Sequence, residues 1–305
     1  MSRDGHNDEA RNRWLGPLMM MGGASAIGFA PIGMRLSEFG PQATAFWRFT
    51  FALPILAILL YAFGGRIGRP SPMGLVAGVF FGLDIAFWHA ALEYTSVAQA
   101  TFLVNLGNVS VGLLAWLVLK ERPSRLWPAA AMIAVCGALL LSLSGDGEGG
   151  SLRGDALALI AAVMVSLYLL FAKIARRGES ALNVLFWATV AEATVAAIAT
   201  AGSGERFLPE TPVWFLAPLA LAIIAQSIGQ SLIVGGVGRT PAALAGVLML
   251  LQPVMGSLIA WPLFGETLTR LQILGAGLIL IGVWLAGGGN GRPAPSPQDS
   301  KMDRT

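Results

Sequence analysis

The sequence predicts an all-α integral membrane protein: ten transmembrane helices forming two inverted five-helix repeats. Three observations carry this. The first is composition: 55% of the 305 residues are hydrophobic, 12% are charged, and the mean hydropathy is +0.68. Soluble domains carry about twice that charged fraction. The second is the recurrence of apolar runs near the length of about 20 residues that a helix needs to cross the hydrocarbon core. The third is an internal duplication: residues 98–141 return as 243–286 without a gap. At that fixed offset Ala98 meets Ala243, Trp116 meets Trp261, Glu121 meets Glu266, Arg125 meets Arg270 and Gly137 meets Gly282. Matches of Trp, Glu and Arg exclude a chance of alanine- and leucine-rich composition. Internal symmetry in an apolar chain marks many transporter folds.

The apolar runs fall at about 14–36, 43–63, 73–92, 96–119, 126–143, 154–175, 181–201, 213–235, 241–264 and 271–287. Each is continuous, whereas a membrane β-barrel needs alternating segments of about ten residues. Helices also satisfy every backbone polar group internally, as hydrocarbon requires. Turn chemistry separates the runs at Gly64-Gly65, Pro70-Ser71-Pro72, Pro209 to Pro212 and Thr240-Pro241. Residues 1–13 read as a polar cytoplasmic tail, 14–143 as the first repeat, 144–153 as an external linker, 154–287 as the second repeat and 288–305 as a disordered cytoplasmic tail. A cleaved signal peptide ending near Ala24-Ser25-Ala26 is rejected because the apolar run continues to Leu36. The glycine-rich 144–155 segment lacks the Gly-Lys-Ser/Thr ending of a phosphate-binding loop.

Basic residues set orientation. With the N-terminus in the cytoplasm, fifteen of the twenty Lys and Arg residues fall in inner segments and four (Arg35, Arg153, Arg206, Arg270) in outer ones, leaving Arg48 inside a helix. An odd five helices per repeat forces the halves to insert in opposite senses. The single cysteine, Cys136, excludes an intramolecular disulfide and speaks against a Cys-type metal site. The pI near 9.4 follows from this asymmetry and implies no nucleic-acid partner.

The run Ala91 to Ser96, the fourth helix ending Ala115-Trp116 and Lys120-Glu121-Arg122, the glycine-bearing helix after it and the Phe46-Trp47-Arg48-Phe49 segment together resemble the EamA repeat. That repeat defines the ten-helix transporters of the drug/metabolite transporter superfamily. Within it the chain is most similar to the YddG-like exporters of aromatic and other amino acids. The resemblance implies a central cavity lined by helices one, three, four, six, eight and nine, a monomer in a bacterial inner membrane, a small-molecule substrate and no cofactor. One position departs: where the family often has a proline midway along the fourth helix, this chain has Asn108, while its repeat mate is Pro253. The two halves should therefore bend differently.

Polar residues inside a span are costly and point to function. The third helix carries Asp84, Trp88 and His89. At about 100° per residue Asp84 and Trp88 share a face, and His89 lies about 140° away over Gly74, Gly78 and Gly82. Asp84 and His89 are thus expected to face different surroundings. Each either carries a proton or meets an amino or carboxylate group, or, for His89, bonds a carbonyl in a packed seam. Thr101, Asn105 and Asn108 form an uncharged ribbon on the fourth helix, either a wet cavity wall or a set of interhelical bonds. Gln226, Ser227, Gln230 and Ser231 repeat the theme on the eighth helix, and Met249 and Gln252 on the ninth. Ser166 and Tyr168 on the sixth complete the candidate set. Arg48 is expected to snorkel or cap rather than to transport. Glu192 is expected on a peripheral helix, either as a neutral acid in a seam or as a proton or cation site. Tryptophans 14, 47, 127, 214, 261 and 284 are expected in interfacial belts.

These residues imply a secondary transporter exporting amino acids or related metabolites, with export of lipophilic cations held by Asp84 or Glu192 as the alternative. A Ser25/His89 hydrolase finds no flanking support, and no ATP-binding motif is legible.

Overall fold

A computed structural model of the protein describes residues 3–143, 151–265 and 268–288. Glu266, the 144–150 part of the linker and the 289–305 tail lie outside the described residues. Among the described residues every regular element is helical. Ten apolar helices follow one another: α1 (Trp14–Arg35), α2 (Pro41–Ala62), α3 (Pro72–Ala91), α4 (Ala98–Leu119), α5 (Trp127–Ser142), α6 (Leu152–Ala175), α7 (Ala181–Ser203), α8 (Pro212–Val237), α9 (Ala242–Phe264) and α10 (Arg270–Gly288). Nine have the length and hydropathy to cross a membrane, and α5, at 16 residues, is shorter. The helix that opens α1 starts at Arg3, so the residues read as a tail extend it, and α1 breaks at Gly28-Phe29 before its last short segment.

The outward surface is apolar. Trp284 is 76% exposed, and Ile58, Leu117 and Met132 are each about two-thirds exposed. In water such a surface would be a liability; around a membrane protein it is the face that meets lipid tails.

Helices start where the sequence supplies a cap. Ser71, Ser96, Ser151 and Ser180 each accept the backbone N–H three residues on, at Gly74, Gln99, Gly154 and Asn183. The α2 start is capped from a distance: Glu205, after α7, accepts the N–H groups of Gln42 and Ala43. Its carboxylate also suits the positive end of the helix dipole.

Lipid offers no hydrophobic drive between helices, so close approach of small residues holds them. The main pairs are α3 with α6 and α7, α4 with α6 and α9, α1 with α8 and α9, α2 with α7 and α8, and α5 with α10. Replace every helix by the one five places along the cycle of ten, and this set maps onto itself. The α5–α10 crossing shows it at atomic detail. A Cβ on Gly137 would lie 2.6 Å from the Gly275 carbonyl and 2.8 Å from the Ile279 nitrogen. A Cβ on Gly282 would lie 2.8 Å from the Ala130 carbonyl and 3.0 Å from the Ala134 nitrogen. These are the same contacts with the repeat mates exchanged, so a local two-fold axis runs between the helices.

Candidate functional site

A small chamber of about 120 Å³ lies between α1, α2, α3, α4, α8 and α9. From α3 come Asp84, Trp88 and His89, with Phe81 below them. From α4 come Thr101, Asn105 and Asn108; from α8, Gln230; from α9, Met249, Gln252 and Pro253. From α2 comes Arg48. Nine of the fourteen residues singled out in the sequence thus meet in one place. Asp84 and His89, expected to part company, both line it. The glycines of α3 do form a seam, Gly78 against Ala188 and Gly82 against Val195 of α7. His89 sits beyond the end of that seam, where α3 borders the chamber instead.

The polar groups in the walls are buried and under-bonded. Asp84 is 4% exposed and His89 3%. Asp84 Oδ1, His89 Nδ1, Asn108 Oδ1 and Gln230 Nε2 have no protein partner. Buried polar atoms normally find one. On α4, Asn105 Nδ2 donates to the Thr101 carbonyl at 2.9 Å and Asn108 Nδ2 to Asn105 Oδ1 at 2.9 Å. The uncharged ribbon is therefore internally braced and still presents an unused acceptor to the cavity.

The other five candidates, Ser227 and Ser231 of α8 among them, lie outside the lining. Ser166 Oγ lies 2.7 Å from the Gly107 carbonyl and 2.6 Å from Ser110 Oγ, which ties α6 to α4. Tyr168 stands behind the wall: its hydroxyl donates to Gln230 Oε1 at 2.6 Å, and its ring packs on Phe81. Gln226 also stands back, and it holds Arg48. Its Oε1 accepts Arg48 Nη2 at 3.0 Å, while its Nε2 donates to Glu192 Oε2 at 2.6 Å and Thr189 Oγ1 at 3.0 Å. Over Ala222–Gly229 the eighth helix is a π-helix. The α-helical facing rule that grouped Gln226 with Gln230 therefore does not apply there.

Two charged residues read differently in sequence. Arg48 is 5% exposed and does not snorkel. Its neighbour Trp47 points the other way, donating to the Phe207 carbonyl at 2.6 Å within a cluster of Phe46, Phe51, Phe207 and Phe215. That cluster fixes the rotation of α2 and turns Arg48 inward. Glu192 is fully buried and tied to α8, so α7 is no bystander. The sequence signal available for both was an ionisable group within an apolar run.

The chamber continues into a vestibule of about 840 Å³, since Pro31, Met34, Trp88, Thr101, Asn105 and Pro253 line both. The vestibule reaches the face formed by Arg35, Pro41, Leu92, Thr95, Ser96, Ser142 and Leu268. Neither cavity is lined by the residues that join α4, α6 and α9 at the opposite face. There Lys173 Nζ lies 3.2 Å from Glu121 Oε2 and donates to the Thr240 carbonyl at 2.5 Å. Glu121 Oε2 also accepts the Ala242 N–H at 3.2 Å, and Arg177 adds a 3.8 Å ion pair to Oε1. Trp127, expected in a belt, is 7% exposed and donates to the Ala243 carbonyl at 2.9 Å. Glu121 was legible only as part of a repeat; its partners come from the end of α6, the residues just after it and the start of α9, which no local pattern joins to it. Among the described residues no cluster of His, Cys, Asp or Glu could hold a metal ion.

A multi-pass membrane protein whose helices enclose a largely apolar chamber with a few buried polar groups, continuous with a vestibule, has the form of a small-molecule transporter. The EamA-like transporter family matches residues 14–143 and again residues 152–288, and the chain belongs to that family. Curated relatives are distant. An uncharacterized transporter, YyaM, of Bacillus subtilis (strain 168) is 22% identical over 262 residues, 82% of this chain and 85% of that protein. The threonine/homoserine exporter RhtA of Escherichia coli (strain K12) is 25% identical over 209 residues, 66% of this chain and 68% of that protein. A solved crystal structure superposes with a TM-score of 0.79 at 19% identity, covering 95% of this chain and 99% of that one, which is a likeness of fold alone.

Proposed function

We propose that this transporter exports amino acids, aromatic or other neutral ones, and related small metabolites across a bacterial inner membrane by alternating access. The observation that carries the reading is the lining of the chamber. It combines neutral amides with one carboxylate and one guanidinium, both almost wholly out of water. Such a site suits a cargo bearing both charges. The vestibule is seven times larger, by about 840 to 120 Å³, which suits a shared polar head and variable side chains. The similarity to a threonine/homoserine exporter supports the same class.

In this reading the halves insert in opposite senses and both termini are cytoplasmic. The vestibule opens outward, and the Glu121–Lys173 bolt closes the cytoplasmic end. The contact set that maps onto itself supports the inversion. Orientation is tested in a Cys136→Ala background, because the native thiol is exposed. Gly204→Cys should react with an impermeant thiol reagent in intact cells, and Arg177→Cys only after lysis. Labelling of Arg177→Cys from outside would reverse the assignment.

Cargo is tested by counterflow into proteoliposomes of labelled threonine, leucine and phenylalanine beside tetraphenylphosphonium. Transport of at least one amino acid, cut about tenfold by Asn105→Leu at normal expression, is expected. A second reading, lipophilic-cation export, is favoured by one observation: Asp84 Oδ1 is unpartnered beside Trp88. Cation transport that vanishes in Asp84→Asn, with no amino-acid transport by the parent, would establish it and end the first reading.

A further inference from the structure

Arg48 has an unfinished coordination. A guanidinium offers five N–H donors in a planar fork. Nη2 donates to Gln226 Oε1 at 3.0 Å, and Nε has no partner at all. Among the described residues no carboxylate lies within 4 Å of it. The nearest linked carboxyl group, Glu192, reaches it only through the Gln226 amide. Direct, hydrogen-bonded pairing is the ordinary way to offset the desolvation of a buried cation. A bridged arrangement leaves the side of the guanidinium that faces the chamber without an anion.

The support behind it is built on purpose-fit parts. Glu192 and Thr189 both hold the amide nitrogen of Gln226, which fixes the amide so that its oxygen faces Arg48. Gln226 itself sits in the π-helical stretch of α8, a form that concentrates at functional sites. In the lining of the same chamber Asp84 has an oxygen with no partner and is 4% exposed. One guanidinium short of an anion and one carboxyl oxygen short of a donor therefore line one small cavity. A molecule carrying a carboxylate and an ammonium on one carbon would complete both.

We propose that Arg48 anchors the carboxylate of the cargo and Asp84 its ammonium, with Gln226 and Glu192 as positioning residues that hold the Arg48 fork toward the chamber. The proposal rests on the amino-acid reading above. Arg is suited to the role because its fork matches a carboxylate bidentately, whereas a lysine ammonium offers only a point charge.

The test uses the full chain in proteoliposomes. Its labelled probe is whichever of threonine, leucine and phenylalanine the parent moves fastest. Competitors are that amino acid, its amide, which lacks the carboxylate, and its deamino acid, which lacks the ammonium. The parent should be inhibited at least tenfold better by the amino acid than by either analogue. Arg48→Gln should raise the half-inhibitory concentration of the amino acid at least tenfold while leaving that of the amide within about twofold. Asp84→Asn should do the same for the amino acid against the deamino acid. Arg48→Lys should recover part of the loss. Arg48→Gln/Glu192→Gln keeps the buried charges balanced and should show the Arg48→Gln selectivity even if the single variant fails to fold. An unchanged preference for the amino acid over its amide in either folded Arg48→Gln background overturns the anchor while the amino-acid reading stands. A parent that moves none of the three amino acids overturns both.

Discussion

The fourth and ninth helices hold equivalent places in the two repeats, yet only one of them is straight. α4 runs unbroken past Asn108, while α9 is interrupted at Leu250, between segments ending at Met249 and starting at Leu251. Pro253 explains the difference: it has no N–H for the Met249 carbonyl, and its ring crowds that turn. Asn108 keeps its N–H and adds a side chain that reaches Asn105. Both positions line the chamber. The α3 and α8 pair differs in the same spirit: Asp84 and His89 on one, glutamines and a π-helix on the other. At the α5–α10 crossing, by contrast, the two repeats remain interchangeable. Symmetry is kept where helices must touch and relaxed where a ligand must be recognised.

The largest expected effect tests the part held equal. Gly137→Leu and Gly282→Leu each drive a side chain into the backbone of the opposite helix, so both should lose more than about 3 kcal/mol, at the upper end of overpacking costs. Size-exclusion profiles and melting of the purified variants measure this. Near-equal losses sharpen the comparison; tolerance of one with collapse of the other would break it.

Next comes the part that differs. Asn108→Pro would impose on α4 the interruption of α9, at about 3 kcal/mol, and remove the Asn105 bond. We expect reduced thermal stability and a transport rate down at least tenfold. Pro253→Asn should leave the fold intact and slow transport less. If Asn108→Pro transports normally, the unequal bend has no bearing on the chamber.

The smallest effect concerns the turns that end these two helices. Lys120 and its repeat mate Gly265 both cap in the left-handed region, with φ of 59° and 67°. Only glycine adopts that region without steric cost. Lys120→Gly should therefore stabilise by about 0.5–1 kcal/mol and Gly265→Lys destabilise by about as much. Shifts of the same sign in a melting assay would show that the two turns are not equivalent.

The spans, their number and the duplication were legible because hydrocarbon demands long apolar runs and repeats leave identities such as Trp116 and Trp261. The chamber residues were legible as polar exceptions, and Asn105, Asn108, Asp84 and Gln252 were found that way. Periodicity failed for Gln226, because the rule assumes an α-helix and α8 widens there. It also separated Asp84 from His89, because helix angles alone do not say how far a cavity wraps around a helix. Arg48 was misjudged because snorkelling was inferred from depth; the aromatic cluster around Trp47 that sets its direction involves Phe207 and Phe215, far along the chain. The Glu121–Lys173 bolt has the same character: its partners meet only after both repeats are folded.

The glycine seam between α5 and α10 sets a schedule for the ribosome. Gly137 is threaded into the bilayer long before Gly275 is synthesised, and nearly every large contact of the first five helices is with one of the last five. Domains generally settle in the order in which they emerge; here the first half emerges with its close-approach faces still bare to lipid. Its helices must wait, inserted but largely unpaired, until the second half arrives, and the fifth must wait until the tenth closes the circuit. Maturation is therefore a late event, confined to the second half of synthesis. A chain stopped after residue 143 would be a substrate for membrane quality control rather than half a transporter.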